Sequence, residues 1–550
     1  MMYLHTDWGY LERQFGCSLV DRFLMPLRSF DNRKAVAPFL VARDDRRFGL
    51  FLQVEKGNAE AARLPPDIAP IYYQPYYLFD PAEGGPVHAT LEDAVLALAD
   101  GVPRIVVDSR LPVSVFERLS RRLTAEVETG PELGTVTIRR VNPPEVEARL
   151  SRHRGAANEA ASRLLARSPV ADRIRPFLEA GGNARFAALD ALLADAGLNG
   201  VLATSILNIQ EIAGIPMWGK RRPLAALYLR GGEIWLIESG VAPDGDQIPS
   251  PRQALAHLLQ DGAIGIEAED MEIGLFRSLR LDRRGHAAVD DLLRKWRDND
   301  TLPDLAFYII AARASAHSIE SALSWAQDAV RAGEAVTEMD PYSVYLKALH
   351  GFVAEVAPFL QVARTLTNFH TSARTIFPAN PAPFPLTPAA NTLKVDAGCL
   401  LFDTDGTLLG CSDIARTLCF SDDAEAIYAC EQYGVRNVLV PACKAGAAGS
   451  SIHKAGVGAI WPEDGRALSN NPLMPHLKNP VADYNRDVGH LLGKNNLSHL
   501  KFVSSERGTL REGMIACCEY QWPYRGHAVA YEDTCLVTAS GGLNFTTDKQ

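Results

Sequence analysis

Leu400-Leu401-Phe402-Asp403-Thr404-Asp405 is an apolar run ending in acids, and Gly410-Cys411-Ser412-Asp413-Ile414-Ala415-Arg416-Thr417 follows it at hairpin distance. Short apolar runs divided by Gly and Asp read as strands. Two such strands, paired, bring Asp403 and Asp413 face to face. Three later stretches continue the pattern. Gly489-His490-Leu491-Leu492-Gly493 presents a histidine between glycines. Gly513-Met514-Ile515-Ala516-Cys517-Cys518-Glu519 is a strand delivering one carboxylate, and Tyr531-Glu532-Asp533-Thr534-Cys535-Leu536-Val537-Thr538 delivers another.

Each of these acids alone is unremarkable, because most Asp and Glu side chains are solvated surface groups. A lone histidine beside glycine is more often structural than a ligand. The weight lies in five ligand types arriving in order, each on an apolar strand or a glycine turn. The four carboxylates bring a charge of about −4, which two divalent cations would balance. A water bridging two such ions would lose its proton near neutral pH and become a nucleophile. Oxygen-rich ligation with one imidazole suits manganese, iron, cobalt or zinc better than a soft metal.

The rest of the 550-residue chain frames this constellation. The length exceeds what one hydrophobic core usually serves, so two to four domains are expected. Apolar residues make up 47% and charged residues 22%, an ordinary globular balance. The net charge is −10 with both signs spread along the chain, and no basic tract argues for nucleic acid or an anionic membrane. No apolar run approaches the roughly 18–20 residues that span a bilayer. Met1 to Arg13 carries Asp7 and Glu12 and does not read as a secretory signal, so a cytoplasmic setting is expected. Eight of the nine cysteines lie between Cys399 and Cys535, several inside apolar strands. They read as small buried hydrophobes rather than a disulfide frame.

Two segments of the N-terminal half read as copies of one unit. In the first, Pro38 to Ala42 and Phe48 to Val54 are strands joined by Arg43-Asp44-Asp45-Arg46-Arg47. Ile105-Val106-Val107-Asp108 and a helix with Val115, Phe116 and Leu119 come later. In the second, Leu224 to Arg230 and Glu233 to Glu238 form a hairpin closed by Gly231-Gly232. Ile264-Gly265-Ile266-Glu267 and a helix with Ile273, Phe276 and Leu279 follow. The shared order suggests a duplicated α/β domain. The second copy opens with Asn183 as a helix cap, Phe186, Leu189, Leu193 and Ala196 at helical spacing, Gly197 as the stop, and Val201 to Thr204 as a buried strand. Pro143 to Pro176 reads as a solvent-facing helical connector. From about Asp304, Leu305 to Gly333 is Ala-rich and helical, strands begin at Leu393, and helices return around Ala424 to Tyr433 and Ser450 to Trp461.

The series Asp, Asp-x-x-Arg-Thr, Gly-His-x-x-Gly, Gly-Met-x-x-x-x-Glu, Glu-Asp-Thr, spread over roughly Asp304 to Thr547, resembles the ligand series of the pita-bread metallopeptidases. That family includes aminopeptidase P, creatinase and methionine aminopeptidase. The resemblance implies an α/β (α+β) chain with two creatinase-type N-terminal domains, residues 1–170 with the connector and 171–303, and a catalytic pita-bread domain at 304–550. Carried over residue by residue, it makes Asp403, Asp413, His490, Glu519 and Glu532 ligands of two divalent ions, with Glu519 also handling the proton of the attacking water. It also implies a homodimer. Val395-Asp396-Ala397-Gly398 offers a second register for the first ligand. The tight-hairpin spacing to Asp413 favours Asp403, since Asp396 requires a longer insertion.

The peptide-handling residues of the family are mostly replaced. Arg486 stands where a histidine is expected four residues before His490, Leu497 where another is expected seven after it, and the one before the first metal strand falls near Pro385. Ala530 and Tyr520 replace an arginine and a proline. His499, His527, Arg486 and Arg525 are the candidates to take over, and Asp405 can be an extra ligand or substrate contact. An Xaa-Pro aminopeptidase-like hydrolase of a C–N amide bond, acting on a small molecule or short peptide, is the leading expectation. A non-peptidase relative acting on a small zwitterion, similar to ectoine hydrolase or dimethylsulfoniopropionate lyase, and a metal-free binding protein are the alternatives. Leu401-Phe402-Asp403-Thr404-Asp405-Gly406-Thr407-Leu408 also matches the first motif of haloacid-dehalogenase-type phosphatases, but no later acidic pair completes that pattern.

Overall fold

The computed structural model describes residues 2–548 apart from 24–33, 37, 75–86, 103, 129–133, 181–184, 218–222, 242–244, 249, 260–261, 284, 300, 377–379, 391, 461–485, 495–498 and 525–526. The first sheet holds β1 (Met2–His5), β2 (Phe39–Arg43), β3 (Arg46–Leu52), β4 (Ile68–Tyr73), β5 (Val87–His88), β6 (Arg104–Val107) and β7 (Thr124–Val127) in the order β5-β4-β3-β2-β1-β6-β7. The second holds β8 (Val136–Val141), β9 (Gly200–Ala203), β10 (Ala225–Leu229), β11 (Glu233–Ser239), β12 (Asp246–Ile248), β13 (Ile264–Ile266) and β14 (His286–Ala288) in the order β12-β8-β11-β10-β9-β13-β14.

The run β3-β2-β1-β6-β7 and the run β11-β10-β9-β13-β14 match strand for strand, antiparallel on one side of β1 or β9 and parallel on the other. The acids that close β6 and β13 do the same work in both. Asp108 accepts from the Thr6 hydroxyl (2.8 Å) and the Asp7 N–H (3.1 Å). Glu267 accepts from the Ser205 hydroxyl and the Ser205 N–H, both at 2.8 Å. Asp7 and Ser205 in turn cap the helices Trp8–Phe15 and Ile206–Ala213. Each acid thus fixes a strand-to-helix turn whose backbone donors would otherwise be buried unpaired.

Two expectations change here. The boundary at residue 170 cuts through the second sheet, because β8 pairs with β11 and β12. The connector is not simply solvent-facing. In its helix Arg154–Leu165, Ala157, Ala160, Ala161 and Leu165 are buried in the core built on the helix Leu305–Arg331. Alanine at that spacing lets two helices approach closely while Glu159, Ser162 and Arg163, interspersed among these residues, stay exposed. The expected cap at Asn183 lies outside the described residues.

In the C-terminal half, the helix Leu305–Arg331 ends near Gly333 (φ 75°) and packs against the helix Met339–Val356. A ribbon joins β15 (Val336–Thr337) to β17 (Pro385–Leu386). One four-stranded sheet contains β16 (Gln361–Thr371), β18 (Thr392–Phe402), β19 (Leu408–Cys411) and β20 (Ile414–Cys419). The other contains β21 (Gly489–Leu491), β22 (Ile515–Tyr524), β23 (His527–Thr538) and β24 (Gly541–Asn544) in sequential order. The sequence reading did not separate out β16. Helices Asp422–Gly434 and Gly449–Ile460 fall where they were expected. Among the described residues no helix is long and apolar enough to cross a membrane.

Candidate metal centre

The long strand β18 pairs with β20 near its start and with β19 near its end. Between β19 and β20 the chain turns a corner at Ser412. The Ser412 N–H donates to the Cys399 carbonyl and its hydroxyl accepts from the Cys399 N–H, both at 3.0 Å. That corner sets Asp413 beside Asp396, which sits opposite Ala415. On the second sheet, His490 of β21 lies opposite Cys517 of β22, and Glu519 of β22 lies opposite Glu532 of β23. Gly489, at φ 140°, is needed here. A Cβ there would overlap the Cys517 carbonyl oxygen.

Two residues of the Asp-x-x-Arg-Thr motif join the sheets. Arg416 donates to the Glu532 carbonyl (2.5 Å) and to the Asp533 carboxylate (2.6 Å). Thr417 exchanges hydrogen bonds with the Ala530 backbone at 2.9 and 3.0 Å. Asp533 also accepts from the Tyr531 hydroxyl and from Asn544. The acid next to Glu532 is therefore a strut, and it faces away from the cage.

Donor atoms of Asp396, Asp413 and Glu532 all lie within 4.8 Å of one another, and so do those of His490, Cys517 and Glu532. His490 Nε2 is 3.7 Å from Asp413 Oδ2, while Nδ1 lies 2.8 Å from the Leu491 carbonyl. A proton on Nδ1 turns Nε2 toward the acids, the arrangement of a ligating imidazole. Burial pushes the Glu532 carboxyl well up, and its neighbours Asp413, Glu519 and Asp396 push it further. Burial raises Glu519 to about 7, with Arg486 opposing and Asp487 and Asp396 reinforcing. Glu532 Oε1 has no hydrogen-bond partner. Buried acids that repel one another, an oxygen without a donor and an aimed imidazole fit a hard or borderline divalent cation.

Asp403 does not reach this group. Its Oδ1 accepts from the Asp405 N–H (2.9 Å) and the Thr407 N–H (2.8 Å), and it shapes the β18–β19 turn around Gly406 (φ 88°). The tight hairpin that favoured Asp403 does exist, but seven residues beyond Asp396, about 20 Å along an extended strand. Asp396 stands in the cage instead, held by the Asn368 amide at 3.2 Å. The physical reason is reach: Asp403 lies past the end of β18, in the turn, far from the start of the strand where Asp396 stands.

The helper candidates scatter. Arg486 is inside, donating to Glu519 Oε2 at 2.7 Å. Asp405 is half exposed and pairs with Arg152 at 2.5 Å. His499 is committed to Asp298 of the second sheet's domain, with Nδ1 at 2.7 Å and its backbone N–H donating at 2.8 Å. His527 opens β23 an odd number of residues from Glu532, and burial lowers its pKa. Arg525 lies outside the described residues. Sequence reasoning missed Lys394, which shares the Asp396 face of β18 and is wholly buried. Burial lowers it to about 7 against the pull of Asp396. Its only signal was the two-residue offset from Asp396.

Two sheets that hold acids and an imidazole around one cage define the C-terminal half as a metal-dependent hydrolase of the pita-bread type. Residues 308–539 match the profile of metallopeptidase family M24. The fold is similar to an X-prolyl aminopeptidase from Caenorhabditis elegans, described as a cytosolic enzyme with a di-nuclear active site, at TM-score 0.53 and 11% identity, covering 92% of this chain and 81% of that one. It is also similar to the prolidase from Pyrococcus horikoshii OT3, at TM-score 0.50 and 17% identity, covering 66% and 98%. No curated protein sequence matches the chain.

Proposed function

We propose that the chain hydrolyses a C–N amide bond in a small molecule or short peptide, with Asp396, Asp413, His490, Glu519 and Glu532 as its metal-centre residues. The observation that carries this is the convergence of Asp396, Asp413 and Glu532 beside His490. A divalent cation there would supply Lewis acidity and a readily deprotonated water. Manganese, zinc, iron and cobalt suit the donors. The resemblance to aminopeptidase P implies a pair of such ions, and the nematode relative is described as di-nuclear.

Glu519, raised to about 7, takes and returns a proton at neutral pH. Arg486 orients it through Oε2. His490 is fixed by the Leu491 carbonyl, and Arg416 fixes the strand that presents Glu532. The names of the similar structures make an Xaa-Pro peptide the first substrate class to try. A small zwitterion is the second, favoured by Arg486 standing where a peptide-handling histidine is expected. A cytoplasmic homodimer accords with the resemblance. The test is a panel of Xaa-Pro peptides and N-acyl or cyclic amino acids, with each metal supplied separately. Metal-dependent turnover lost in Asp413→Asn is expected; no turnover with any metal and no metal uptake would sink the reading.

A further inference from the structure

The cage carboxylates do not stand alone. Arg486 donates to Glu519 Oε2 at 2.7 Å, and both side chains are only 11% exposed. Lys394 is wholly buried on the same face of β18 as Asp396, and its Nζ has no hydrogen-bond partner. The charged groups around it are Asp396, Arg486, Glu519 and Glu431, the last reaching in from the helix Asp422–Gly434. Asp487, beside Arg486, is met by Lys501 at 2.8 Å. Arg486 and Lys394 thus bring two largely buried basic side chains up to the cage carboxylates.

Ligand atoms around a single ion at about 2.1 Å lie at most about 4.2 Å apart. Asp396, Asp413 and Glu532 gather within 4.8 Å of one another, the His490 group shares Glu532 with them, and His490 Nε2 is 3.7 Å from Asp413 Oδ2. Glu519 belongs to neither donor group, and its Oε2 is turned to the Arg486 guanidinium. A guanidinium cannot be deprotonated in a protein and matches a carboxylate geometrically, so it can hold this position permanently.

Resting on the proposed metal-hydrolase reading, we infer that this chain builds a one-ion centre: Asp396, Asp413, His490 and Glu532 hold a single divalent cation, and Arg486, assisted by Lys394, fills the place of a second. Arg486 is then a positioning residue for Glu519, and half of the centre is built into the polypeptide.

Metal content decides it. The full chain is stripped with chelator, reloaded with manganese, zinc or cobalt, dialysed and assayed for metal per chain, and the manganese form is read by electron paramagnetic resonance. One ion per chain and the hyperfine sextet of isolated manganese are expected. Two ions with exchange coupling would overturn the inference and leave the hydrolase reading standing. No ion would overturn both. Arg486→His and Arg486→Ala are expected to admit a second ion. A single ion retained in both, with thermal unfolding as cooperative as in the parent, would overturn the role given to Arg486.

Discussion

Glu519 and Glu532 stand directly opposite one another on β22 and β23, both buried. Like charges across a strand pair destabilise a sheet, and burial sharpens the effect. The apposition therefore stores repulsion that a cation relieves. Glu532→Gln should stabilise the chelator-stripped protein by ~1–2 kcal/mol. The same variant should gain little stability from added manganese, whereas the parent should gain a clear rise in Tm. Thermal melts with and without metal check both halves of the statement.

Asp396 and Asp403 give opposite outcomes. Asp396→Asn should weaken metal binding by at least ~10-fold with little change in stability of the stripped protein. Asp403→Ala removes an acceptor from two backbone N–H groups and should cost ~1–2 kcal/mol while leaving metal affinity unchanged. Isothermal titration and urea unfolding separate the two. Equal losses of metal affinity would restore Asp403 as a ligand.

His499 should behave as part of a domain contact. Its Nδ1 lies 2.7 Å from Asp298 Oδ2, and Asp298 is buried. His499→Ala should lower stability by ~1–3 kcal/mol and leave metal stoichiometry intact. A loss of turnover with unchanged stability would instead return the residue to the chemistry.

Asp290 makes stability depend on pH. Burial raises its carboxyl to about 8, with Glu267 and Glu269 adding to the rise and Arg294 opposing it. Between the unfolded value near 3.9 and about 8, the folded state holds a proton that the unfolded chain has released. Stability from this group is thus full at low pH and falls as pH rises through that window. Asp290→Asn should flatten the decline by at least ~1 kcal/mol, read as the shift in urea midpoint between pH 5 and pH 8.5.

The strands and helices were legible because their signals are local. Gly231-Gly232, both at positive φ, closes the β10–β11 hairpin as the dipeptide demands. Asp413, His490, Glu519 and Glu532 could be picked out as ligand candidates because each sits on an apolar strand or beside a glycine that fixes its direction. Asp396 was ranked second because hairpin length was read from the nearest turn, and a strand that pairs with two partners in succession allows a longer one. Lys394 stayed hidden for another reason. A cation inside a cage of acids looks in sequence like any surface Lys or Arg, and only burial reveals it.

The length of that hairpin has a mechanical meaning. Its tip is clasped by the second domain: Gln210 exchanges hydrogen bonds with the Leu408 backbone at 2.9 and 2.7 Å, and the Met217 N–H donates to the Gly406 carbonyl at 3.0 Å. Its root carries Asp396 and Asp413. One stiff lever thus runs from the border between the halves of the chain to two of the proposed ligands, and any rocking at that border would shift them both.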